Sequence, residues 1–134
     1  MRLETALSRF QPHLLSLLRC GAGLCFLQHG TAKYLKFPRV PMYEHVEPLS
    51  QGGIAGMFEL ACGALLVVGL FTRPAAFLAS GVMAFAYFLA HAPKGFYPVL
   101  NGGELSIIYC FVFLYLAAAG GGPWSLDAWV RRRG

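Results

Sequence analysis

The stretch IAGMFELACGALLVVGLFTR, residues 54–73, decides how this chain folds. From Ile54 to Phe71 it is apolar except for one carboxylate, Glu59, and it stops at Thr72-Arg73. A helix of 18 residues rises about 27 Å, close to the thickness of the hydrocarbon core of a bilayer. An ionisable group inside such a run costs about 2.5–3.5 kcal/mol on insertion scales, so by default it marks a site.

Three further blocks resemble it. Working outward, residues 13–36, 74–91 and 104–120 are similarly apolar, and each carries ionisable groups, Arg19, His29 and Lys33 in the first, His91 in the second and Glu104 in the third among them. Composition agrees: 57% of the 134 residues are hydrophobic and 13% charged, with a mean hydropathy of +0.56. One small soluble core could not bury that much apolar surface, whereas a bilayer accepts it without penalty. The expectation is an all-α, integral membrane four-helix bundle forming a single domain over 1–134. Its connections are residues 37–53, the tight Thr72-Arg73 step and residues 92–103.

The first block follows Arg2 and Arg9 but is too long for a signal peptide, lacks a small-x-small cleavage site, and is expected to be retained. Cys20, Cys25, Cys62 and Cys110 all fall inside spans without a C-x-x-C pair, so they read as small buried apolar residues. Residues 117–122 are the only low-complexity stretch and run into a stop at Pro123.

Orientation follows from Lys and Arg in the flanks. With four spans, one side holds Arg2, Arg9, Arg73, Arg131, Arg132 and Arg133, and the other Lys33, Lys36, Arg39 and Lys94. Both termini are therefore expected in the cytoplasm, with residues 124–133 lying as a short interfacial segment. The net charge of +5 needs no nucleic acid, because a basic tail beside a span is a topology signal or a contact with anionic lipid.

Depth sorts the polar residues. His29, Lys33, Glu59, His91 and Glu104 converge on the outer leaflet from four helices, and Arg19 stays alone in the inner half. His29 and Lys33 are four apart and share a helix face. Glu59 has apolar neighbours on both sides and must find a cation, Lys33 or Arg19, or remain protonated. Plainer roles stand beside a ligand pocket: Lys33 snorkelling to headgroups, His91 ending a helix before Ala92-Pro93, and Glu104 closing a capping box with Asn101. Small residues mark packing faces, Ala76, Ser80 and Ala84 on the third helix and Gly52 with Gly56 on the second.

Leu18-Arg19, His29-Gly30-Thr31-Ala32-Lys33, Glu59-Leu60 with Gly63, Gly69-Leu70-Phe71-Thr72-Arg73, His91, Gly95-Phe96, Gly103-Glu104 and Gly122-Pro123-Trp124-Ser125-Leu126-Asp127 together resemble the DoxX family. The likeness runs from Leu18 to Ala128 and departs at residues 34–41, where family members are richer in glycine. The family takes its name from a small subunit of an archaeal thiosulfate:quinone oxidoreductase, and bacterial members are linked to membrane redox or thiol-stress assemblies. The resemblance implies a multi-pass protein of a bacterial or archaeal cytoplasmic membrane, serving as an accessory or anchoring subunit of an oxidoreductase assembly beside a larger membrane complex or redox partner. Quinone is the implied ligand, met by His29 and Glu59, while Arg19 would face lipid headgroups or a partner.

A structural or assembly subunit with no ligand site is the alternative, and a small-solute or metal transporter a third reading. The His and Glu residues lack the close ligand pairs a metal site wants, so none is assigned to metal. No covalently held cofactor is expected: there is no CxxCH, no spaced cysteine set and no Gly-rich strand-to-helix turn. Catalysis by the chain alone is not expected, and no catalytic residue is assigned.

Overall fold

A computed structural model describes residues 2–134, and among these every regular element is helical. A short helix α1 (Arg2–Ser8) precedes α2 (Gln11–Tyr34), which begins with Pro12 in its first turn. A loop containing one turn of 3-10 helix (Pro41–Tyr43) leads to α3 (Gln51–Val68), where the Ser50 side chain accepts a hydrogen bond from the Gly53 N–H at 3.1 Å. That hydroxyl satisfies one of the four N–H groups that a helix start leaves unpaired. Gly69, left-handed at φ 72°, ends α3 within three residues of where α4 (Thr72–Ala86) begins. Then come α5 (Pro98–Asn101), α6 (Glu104–Ala119) and α7 (Leu126–Arg133), the last capped by the Ser125 hydroxyl.

Each expected block contains a helix, displaced by up to three residues at either end. The third is longer than expected. Beyond Ala86 it continues through a wider π turn (Tyr87–His91) and a 3-10 turn (Ala92–Lys94), giving 23 residues from Thr72 to Lys94. Pro93 has no N–H to donate to the ladder, so ordinary α winding cannot run through it.

The long helices pack in antiparallel neighbours, α2 on α3, α3 on α4 and α4 on α6. Backbone proximity between α2 and α3 rests on glycine. A Cβ on Gly30 would come within 2.7 Å of the Leu60 backbone nitrogen, and one on Gly63 within 2.8 Å of the Leu27 Cα. The expected Gly52–Gly56 ladder is only half present: Gly56 fits against Tyr34, but Gly52 faces open space. On α4, Ala76 and Ser80 are buried and Ala84 half-buried, and the Ser80 hydroxyl donates to the Cys110 carbonyl on α6 at 2.7 Å.

The core is small and aromatic at its centre. Phe26, Leu66, Ala76, Ala79, Phe113 and Leu116 are fully enclosed, with Phe26 and Phe113 rings 4.9 Å apart and Tyr109 stacked on Phe113 at 5.4 Å. The outward faces are apolar as well, exposing Leu17 and Leu24 on α2, Ile54 and Phe58 on α3, Phe77 and Phe85 on α4, and Ile108 and Phe111 on α6. Water would oppose so large a patch, and a membrane removes the opposition. The helices Gln51–Val68 and Thr72–Lys94 are long and apolar enough to cross one. At 16 residues α6 rises about 24 Å, and α2 has the length but carries more polar side chains.

Candidate polar site

At one end of the helices, Lys33 near the close of α2 meets Glu59, a little over two turns into α3. The Lys33 ammonium lies 3.1 Å from Glu59 Oε1 and 3.0 Å from Oε2, with Lys33 8% and Glu59 4% exposed. Glu59 therefore finds its cation, and the cation is Lys33. Of the two roles open to Lys33, the ammonium takes the one on Glu59 and not the plainer one of snorkelling to headgroups. The glycine contact at Gly56 brings α3 close enough for its stem to pack there, where a Cβ would stand 3.0 Å from Lys33 Cδ. Such a pair stabilises little against apolar side chains of equal size, because both ions lose their water. Removing one partner is another matter, since it strands a buried charge.

The pair has aromatic cover. The Tyr43 ring sits 5.2 Å from the Lys33 ammonium, within cation–π range, and His29 meets Tyr43 and Tyr109 edge to face at 6.5 and 6.4 Å. Partial burial, with the Glu59 charge adding to it, pushes the Tyr43 phenol above its ordinary pKa, so it stays a neutral hydrogen-bond donor. Tyr43 is held there by Lys36, whose ammonium donates to the carbonyls of Lys33 (3.0 Å), Tyr43 (2.8 Å) and Glu44 (2.9 Å). Outside this cover lies an open cavity of about 420 Å³, bounded by Lys33, Tyr43, His45, Glu47 and Ser50 among others.

His91 and Glu104 belong to a second group at the same end. His91 Nδ1 is 3.1 Å from the Asn101 carbonyl, while the Asn101 amide donates to the Gly95 carbonyl at 2.9 Å and to the Tyr87 hydroxyl at 3.3 Å. The Asn101–Glu104 capping box does not form. Asn101 Oδ1 takes the Gly103 N–H at 2.8 Å in a local turn, Gly103 holds the cap position of α6, and Glu104 is exposed in the first turn, where a carboxylate suits the helix dipole. Among the described residues no group of three or more His, Cys, Asp or Glu is placed to hold a metal ion.

Arg19 departs most from expectation. It faces neither headgroups nor a partner but is 1% exposed at the opposite end of the structure. Its guanidinium donates through Nε to the Leu66 carbonyl (2.8 Å), through Nη1 to the Gly121 carbonyl, and through Nη2 to the Trp124 carbonyl (2.8 Å) and the Cys20 sulfur (3.1 Å). The charge is satisfied by carbonyl dipoles, which the end of α3 and the Gly121–Trp124 turn leave free of other helical partners. Ser16, one turn earlier, joins the same knot through the Gly121 carbonyl and the Trp124 N–H.

Sequence reasoning missed Tyr43, Lys36 and Asp127. The first two sit in a loop with no periodicity, so nothing local announces them. Asp127 stood only as the last residue of the Gly122–Asp127 motif, and nothing local pointed to the α3–α4 turn as its partner.

Apolar outward faces around an enclosed ion pair define a membrane protein whose polar groups are turned inward. A DoxX family model matches residues 14–92, more than half of this chain, and the chain belongs to the DoxX family. It is 40% identical over 132 residues to an "Uncharacterized protein" of Haemophilus influenzae, covering 90% of this chain and 93% of that one. A second "Uncharacterized protein" of the same organism is 32% identical over 74 residues, 55% of this chain and 49% of its own length. No solved structure matches the chain.

Proposed function

We propose that the chain is a four-span membrane bundle with both termini in the cytoplasm, acting in a bacterial or archaeal cytoplasmic membrane as an accessory or anchoring subunit of an oxidoreductase assembly. Quinone is its proposed ligand. The observation that carries this reading is the buried Lys33–Glu59 pair with His29 beside it, placed on helices whose outer faces are apolar. Ionisable groups in such surroundings mark ligand or proton sites more often than scaffolding.

The residues present fit a quinone headgroup. His29 brings an imidazole that can donate to or accept from an oxygen, Tyr109 and Tyr43 bring ring edges, and Lys33 fixes a positive charge nearby. A quinone supplies electron and proton carriage within lipid. The chain's own part is to orient a headgroup with His29 and to hold compensating charge in Lys33 and Glu59. Electrons must come from a partner, since the sequence carries no attachment motif for haem c, iron–sulfur or flavin.

The alternative, a structural subunit whose polar groups only lock helices together, draws support from the same pair, because each charge already satisfies the other. A charge swap separates the two readings. Lys33→Glu combined with Glu59→Lys restores the pair, so a purely structural role predicts recovered stability and recovered activity of the assembly. The quinone reading predicts recovered stability without recovered activity.

Purification of the whole protein from its native membrane in mild detergent tests the accessory role directly. The expected result is a stoichiometric partner carrying flavin, haem or iron–sulfur, and a colourless, inactive chain once the partner is stripped away. Turnover of a quinone analogue by the chain alone would refute it.

A further inference from the structure

The charges are not spread evenly along the helices. The end that carries both termini exposes Arg2, Arg9, Arg73, Arg131, Arg132 and Arg133. Against these six stand Glu4 and Asp127, and Asp127 is already engaged by the backbone N–H groups of Phe71 and Thr72. The opposite end sets Lys36, Arg39 and Lys94 against Glu44, Glu47 and Glu104, and in the same half Lys33 cancels Glu59. With Arg19 buried in the first end's half, the entire excess of +5 resides there. A count of Lys and Arg alone hides this, because it omits the acids that neutralise the other end.

The same end exposes apolar side chains beside its arginines. None of α1 is buried, and it turns Leu3 and Leu7 outward; α7 exposes Leu126, Trp129 and Val130, with the Arg133 guanidinium 4.3 Å from the Trp129 ring centre. Leu14 and Phe71 continue this apolar surface onto the long helices. A partner must therefore offer negative charge and hydrocarbon at the same level. A membrane interface offers both, and it adjoins the apolar helix faces already described.

We propose that this end is a binding surface for anionic phospholipid, with α1 and α7 lying in the interface and their arginines on the lipid phosphates. Arg132 and Arg73 are braced for it by carbonyls, Arg132 on Pro123 (3.1 Å) and Arg73 on Ala117 and Ala118 at the end of α6. The inference rests on the membrane character of the chain and not on its redox role, so either can fail alone.

The test uses the full-length protein extracted from vesicles of mixed phosphatidylglycerol and phosphatidylcholine, with retained lipid counted by native mass spectrometry. Phosphatidylglycerol should be retained in preference, and raising the salt should erase the preference. Replacing Arg131, Arg132 and Arg133 together by Gln should weaken retention at least tenfold, given roughly fivefold for each arginine near a charged surface. The double change Arg39→Gln and Lys94→Gln, at the other end, should leave it unaltered. Equal retention of the two lipids by the unmodified protein would overturn the proposal without recourse to any variant. So would equal losses in the two variants, displacement of lipid by inorganic phosphate at matched concentration, or an acidic protein bound there that phosphatidylglycerol cannot displace.

Discussion

The carboxylate of Asp127 caps a helix that begins fifty-five residues earlier: Oδ2 accepts the Thr72 N–H at 2.9 Å and Oδ1 the Phe71 N–H at 2.8 Å. Phe71 adopts a left-handed conformation, φ 49°, which costs a residue with a Cβ roughly 1–2 kcal/mol and leaves α4 without a cap of its own. The return contact from the Asp127 N–H to the Gly69 carbonyl, 2.9 Å, closes the arrangement. The last helix thus holds the α3–α4 turn in place.

Asp127→Ala should lower stability by about 1 kcal/mol, the usual cost of a lost cap, read by thermal unfolding in detergent. Partial burial pushes the Asp127 carboxyl up, but hydrogen bonds from Thr72 and Phe71, with the Arg131 charge, outweigh it and hold the group below its ordinary value of 3.8. A depressed carboxylate contributes stability that is complete above the unfolded value and lost as the pH falls through the folded one. Stability should therefore decline below about pH 3.8, and Asp127→Asn should flatten that part of the curve.

Glu59→Gln leaves the Lys33 ammonium enclosed without an anion, so a loss of about 3–5 kcal/mol is expected. Unfolding midpoints of the purified variant measure it. A loss under about 1 kcal/mol, the scale of exposed pairs, would mean that water reaches Lys33 freely.

Arg19→Lys keeps the charge but loses the planar fork that reaches Leu66, Gly121 and Trp124 at once. A cost of about 3 kcal/mol or more is expected from buried carbonyls left without partners. Because two of those carbonyls lie in the Gly121–Trp124 turn, proteolysis and amide exchange should rise in residues 121–134 before they rise in α3 or α4.

Gly63→Ala and Gly30→Ala force a methyl group against the backbone of the facing helix and should cost about 1–3 kcal/mol each. Gly21→Ala and Gly81→Ala meet nothing within 4 Å and sit within helices, where Ala is favoured over Gly by about 0.8–1 kcal/mol. These two should be neutral or stabilising, so the four variants separate helix contact from helix propensity.

Met42→Cys, in the loop beside the polar site, should react with an impermeant maleimide in intact cells, and Gly134→Cys should not. The reverse pattern would invert the proposed orientation and, with it, the leaflet assigned to each polar residue.

The helices and the membrane character of this chain were legible in its sequence, because both depend on local quantities: the length of an apolar run, and what a bilayer of fixed thickness admits. Glu59 and Lys33 could likewise be named as a candidate pair, since a carboxylate in hydrocarbon must find a cation. The partners of Arg19, Asp127 and Asn101 could not be read this way. Arg19 and Asp127 bond to backbone atoms some fifty or a hundred residues away, and a carbonyl or N–H leaves no trace in residue identity; only the packing of α2 on α3, and the return of the last helix to the α3–α4 turn, decided which ones they would meet. Asn101 found its partners nearby, but the shape of the turn before α6 chose the Gly103 N–H over a capping box, because Gly103, not Asn101, came to rest at the start of the helix.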